Sequence, residues 1–153
     1  MRKLCYILFL FLCTTVLTAC SVDTVYSRFV PVSSAQWHID STVYFDIPVT
    51  DTTFTYRTII YVRHTERYPY QNMWLFVGDN LHRDTIEFYL ADDRGQWLGD
   101  THNGFIEMPV LIDENRQFAD TGTYHIAIQH AMRDTLLRGI TDIGIEMIRN
   151  GKK

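Results

Sequence analysis

Residues 54–77 read FTYRTIIYVRHTERYPYQNMWLFV. In the first half, Phe54, Tyr56, Thr58, Ile60 and Val62 alternate with Thr55, Arg57, Ile59, Tyr61 and Arg63. A repeat of two is the period of a β-strand. The run NMWLFV, residues 72–77, is apolar almost throughout and reads as a second strand. Between them lies TERYPYQ, residues 65–71. Pro69 holds its own φ and pushes Tyr68 toward an extended backbone, so this is a stiff corner. Asn72 is placed to cap the turn. Tyr68 and Tyr70 have two uses on such a corner. They either fold back as an apolar lid with wet hydroxyls or stand displayed for a partner. In the second case Tyr68, Pro69, Tyr70 and Asn72 form a preorganised contact surface, since tyrosine is enriched at interface hot spots.

The same period recurs along the chain. Val43, Phe45 and Ile47 share one face, as do Ile86, Phe88 and Leu90, Tyr124, Ile126 and Ile128, and Ile143, Ile145 and Met147. Pro109 within GFIEMPVLI marks an edge strand or a bulge. Asp, Asn, Gly and Pro separate these segments, and long helical patterns are missing. Only Ser33 to Gln36 and Asp134 to Leu137 suit a turn of helix. The expected fold is all-β: an antiparallel, jelly-roll-like β-sandwich of about seven or eight strands. Trp37, Trp74 and Trp97 are expected mostly in or near its core, each contributing about 1.5–3 kcal/mol when fully buried. Gly95 and Gly99 suit a tight hairpin that turns Trp97 inward, and Gly139 suits a positive-φ corner before the last strand.

The N-terminus has a different character. Arg2 and Lys3 precede an apolar stretch from Leu4 to about Val16, followed by Leu17-Thr18-Ala19-Cys20. This is the layout of a secretory signal of the lipoprotein type, removed as residues 1–19. Cys20 then carries the lipid and anchors a single domain, residues 20–153, to a membrane of the cell envelope. At about 0.8 kcal/mol per buried CH₂, several acyl chains make a stable anchor. The other two of the three cysteines, Cys5 and Cys13, lie in the signal. The mature domain therefore has no disulfide, no thiolate metal site and no cysteine nucleophile. Loss of Arg2 and Lys3 takes the formal charge from −4 to −6, which disfavours nucleic acid as a partner.

Chemistry-bearing patterns are sparse. The six histidines, His38, His64, His82, His102, His125 and His130, are scattered and form no helical pair of metal ligands. Asp92, Asp93 and Asp100, and Asp113, Glu114 and Asp120, match solvated acidic turns better than a calcium loop. Gly-x-Ser-x-Gly and glycine-rich phosphate loops are absent. No metal, cofactor or catalytic residue is expected.

The signal with Cys20, together with FVPVSSAQWHID (29–40), RTIIYVRHTERYPYQNMWLFV (57–77), DTIEFYLADDRGQWLGD (84–100), GTYHIAIQHAMR (122–133) and LLRGITDIGIEMIR (136–149), resembles the GldH family of gliding-motility lipoproteins. Its most specific stretches are Tyr68-Pro69-Tyr70 with Asn72, Gly95-x-Trp97-x-Gly99, Met132-Arg133, and Gly139-Ile140 with Asp142-Ile143-Gly144. The resemblance implies a cell-envelope lipoprotein of gliding motility, tied to the machinery of type IX protein secretion, with other envelope proteins as partners. It carries over no enzymatic residues. Two rival readings remain: a carbohydrate-binding surface lipoprotein, whose cue is exposed aromatics on one face, and an envelope hydrolase, whose cue is clustered buried carboxylates.

Overall fold

The structure is a computed structural model that describes residues 23–78 and 82–152. Cys20 and the signal lie outside the described residues. The strands are β1 (Thr24–Pro31), β2 (Gln36–His38), β3 (Val43–Val49), β4 (Phe54–His64), β5 (Asn72–Gly78), β6 (Arg83–Tyr89), β7 (Asp100–His102), β8 (Phe105–Arg116), β9 (Gly122–His130), β10 (Leu136–Arg138) and β11 (Ile140–Lys152). Eight are long, as expected; β2, β7 and β10 have three residues each and raise the count. A five-stranded sheet, β1-β11-β4-β8-β7, packs against a four-stranded sheet, β3-β9-β5-β6, and a small ribbon pairs β2 with β10. Every pairing is antiparallel, and the whole is a β-sandwich.

The alternation in the sequence decides which side chains fill the space between the sheets. In β3, Val43, Phe45, Ile47 and Val49 point inward while Tyr44, Asp46 and Pro48 point out. They meet Ile60 and Val62 of β4 and Ile143, Ile145 and Met147 of β11 in one core. In β5 the inward set is Met73, Leu75 and Val77. That phase turns Trp74 outward, the one of the three tryptophans that leaves the core. Trp37 is buried and Trp97 is half-buried against the core.

Two local expectations met different outcomes. Beyond Glu107, β8 pairs only on its β4 side, so Pro109 sits on a sheet edge, where proline is tolerated. The segment at Asp134–Leu137 is not helical. Leu136, Leu137 and Arg138 pair with His38, Trp37 and Gln36 as a strand, and burial of Leu137 favours that extended form. At the other candidate, Ser33–Ala35 makes one 3-10 turn in which Ser34 and Ala35 have φ of 55° and 51°.

Candidate functional site

The corner between β4 and β5 carries the residues that the sequence singles out. Tyr68 N–H donates to the Thr65 carbonyl at 3.1 Å, closing a turn. Thr65 N–H donates in turn to the Gly139 carbonyl at 2.8 Å. Gly139 has φ of 87°, and a Cβ there would lie 2.5 Å from the Tyr68 nitrogen. Only glycine meets both demands, which explains its place just before β11.

The two tyrosines take different roles. Tyr68 is 2% exposed, and its hydroxyl donates to the Asn72 carbonyl at 2.7 Å. Its ring joins those of His64 and Trp97, with His64 and Trp97 centroids 4.7 Å apart. Burial pushes the Tyr68 hydroxyl pKa well up. This ring is a core element and is withdrawn from any surface contact. Pro69 and Tyr70 are exposed. Tyr70 donates to Asp134 Oδ2 at 2.8 Å, and that bond raises its pKa. Asn72 does not cap the turn. Its amide donates across the strand pair to Glu87 Oε1 at 2.6 Å.

Beside Tyr70, the outer face of the four-stranded sheet is aromatic. Trp74 is 36% exposed, and its backbone N–H meets the Met132 sulfur at 3.3 Å. Tyr89, 58% exposed, stands opposite Asn72 and so diagonal to Trp74. At that range aromatic side chains on one face reach each other. Phe76 lies under the Arg83 guanidinium, and Tyr44 is 63% exposed on β3. The structure thus brings Tyr70, Trp74, Tyr89 and Met132 to one side. Trp74, Tyr89 and Asp134 were not foreseen as site residues. The signal was available: with Met73, Leu75 and Val77 inward, a period of two leaves Trp74 outside.

The rest of the molecule offers less chemistry. Among the described residues the buried polar ones are Thr55, Thr58, His64 and His130, with no carboxylate among them. Among the described residues no three His, Cys, Asp or Glu side chains group as metal ligands. Among them, too, no helix is long and apolar enough to cross a membrane.

The family model described as GldH lipoprotein matches residues 24–147. The chain is 31% identical over 152 residues to the "Gliding motility lipoprotein GldH homolog" of Christiangramia forsetii, covering 91% of this chain and 93% of that relative. It is also 31% identical over 150 residues to the "Gliding motility lipoprotein GldH" of Flavobacterium johnsoniae, covering 90% and 92%. No solved structure matches significantly. The family match spans both sheets, the aromatic corner and the outward face, and the chain belongs to the GldH lipoprotein family, membrane-anchored lipoproteins of the cell envelope.

Proposed function

We propose that this lipoprotein is a non-catalytic component of the gliding-motility apparatus and of the type IX secretion machinery associated with it. The lipid on Cys20 holds it at the membrane, and the surface around Tyr70 and Trp74 contacts another envelope protein. One observation carries the contact: Tyr70, Trp74 and Tyr89 lie exposed beside a corner that Pro69 and Gly139 hold rigid. A rigid aromatic surface loses little side-chain freedom on association, a cost otherwise of about 0.5–1.5 kcal/mol per side chain.

The test uses the Tyr70→Ala, Trp74→Ala double variant, expressed in the native bacterium. It is expected to remain folded and anchored while losing co-purification with its partners and support of gliding or secretion. A folded double variant that recovers the same partners defeats the contact. Anchoring is tested separately. Cys20→Ala is expected to lose labelled palmitate, and persistent label defeats the assignment.

A second reading has one observation in its favour. Tyr44, Trp74 and Tyr89 share a sheet face with the polar groups of Asn72, Glu87 and Gln129, an arrangement able to stack and hydrogen-bond sugar rings. Retained partner recovery with loss of binding to an envelope polysaccharide in the same double variant selects this reading.

A further inference from the structure

A cavity of about 620 Å³ lies between the two sheets, within the size range of small-molecule sites. Ile60, Ile126 and Ile145 form its floor. Ile86 of β6 and Ile112 of β8 form facing walls. This apolar lining is almost wholly branched aliphatic, with Tyr124 its one large aromatic. Such walls suit a flexible alkyl chain more than a flat ring, which gains most from stacking.

The rest of the lining is polar, with His82, Thr85, Thr123 and His125 among it, and two of its groups point to the other end of the ligand. Thr58 is 1% exposed, and its hydroxyl has no hydrogen-bond partner. Buried hydroxyls are costly to leave in that state. Arg116 also lines the cavity. Its guanidinium lies 5.3 Å from the Phe118 ring, and it forms no ion pair among the described residues. In the β4–β8 register Arg116 stands opposite Tyr56, two residues from Thr58, so both groups belong to one corner of the five-stranded sheet. Guanidinium binds a carboxylate through paired N–H donors, and a hydroxyl adds a third. Asp84 lines the cavity from the other sheet, on β6, and repels an anionic head toward the Arg116 side.

We infer that the cavity binds a fatty acid: Arg116 and the Thr58 hydroxyl hold its carboxylate, and its alkyl chain lies over Ile60, Ile126 and Ile145. This goes beyond the proposed function and does not depend on it, because the cavity faces inward and the aromatic surface faces out. The acyl chains of a lipid anchor or a phospholipid carry no free carboxylate, which separates those sources from a free fatty acid.

The test places the full-length lipoprotein in phospholipid nanodiscs with a palmitate carrying a photoreactive diazirine on its chain. After illumination, cross-links are mapped by peptide mass spectrometry. The expected sites are peptides containing Ile60, Ile112 or Ile126, with unlabelled palmitate competing and hexadecanol competing at least about tenfold more weakly. Arg116→Gln is expected to weaken palmitate competition about tenfold with an unchanged melting temperature, since Arg116 is half-buried at the cavity edge. Ile86→Trp, which fills the cavity from its wall, is expected to remove the cross-links. Labelling confined to the outer faces, or label that palmitate does not displace, overturns the site. Equal competition by hexadecanol, or no effect of Arg116→Gln, overturns the carboxylate assignment.

Discussion

The two ends of the sandwich are built differently. At the corner end, Tyr68, His64 and Trp97 pack ring against ring, Gly139 lets the backbones close, and the β2–β10 ribbon carries Trp37 into the core. At the other end, beneath β6, the sheets leave a cavity whose floor is aliphatic and whose buried hydroxyl is unsatisfied. Rings pack at this end too, where Phe118 lies against Tyr56 and Tyr124, but the rows of isoleucine between the sheets leave space beside them. The comparison teaches that the end away from this cavity is the one beside which the chain exposes Tyr70 and Trp74.

The sharpest break is at Tyr68. Tyr68→Ala is expected to destabilise the domain by about 3–5 kcal/mol, the range for deleting a buried aromatic, read as a shift of the urea midpoint. A midpoint unchanged from wild type would remove the distinction between the ends. Gly139→Ala comes next. A methyl group there meets the Tyr68 backbone at a positive φ, and the expected cost is about 2–3 kcal/mol. Gly95 also has positive φ but open space around it, so Gly95→Ala serves as the milder control.

Acid gives a third probe of the closed end. Burial lowers the pKa of His64 and of His130, and the Nε2 atom of His64 and the Nδ1 atom of His130 lack partners. The unfolded chain therefore takes up these protons first. Stability is fully present above the ordinary histidine value of 6.5 and falls as pH drops below it toward the lowered folded values. Thermal melts between pH 7.5 and 5 are expected to show this loss, and His64→Phe is expected to flatten part of it. An unchanged slope in that variant assigns the loss elsewhere.

Smaller effects are expected at the hollow end and on the outer face. Ile86→Ala is expected to cost about 1 kcal/mol, below the 2–5 kcal/mol usual for a fully buried isoleucine, because its side chain already borders empty space. Leu75→Ala, in the dense core, is the comparison. A larger cost for Ile86 would show that the cavity wall is packed. Trp74→Ala is expected to shift stability by less than about 1 kcal/mol, with its effect appearing in partner recovery instead.

The strand pattern, the sandwich and the family resemblance could be read from residue order because they rest on local period and on punctuation by Gly, Pro, Asn and Asp. Val43, Phe45 and Ile47, for example, lie on the inward face that their spacing implies. Gly139 as a positive-φ corner was legible for the same reason. The fate of each tyrosine was not. Tyr68 and Tyr70 flank one proline, and no local rule separates them. Contact with His64, Trp97 and Gly139, brought from distant parts of the chain, buries the first and leaves the second at Asp134. Nor does composition distinguish β10 from a helical turn; its pairing with β2 does. The cavity beneath Thr58 belongs wholly to tertiary structure, because a void is set by the distance between sheets and not by any one strand.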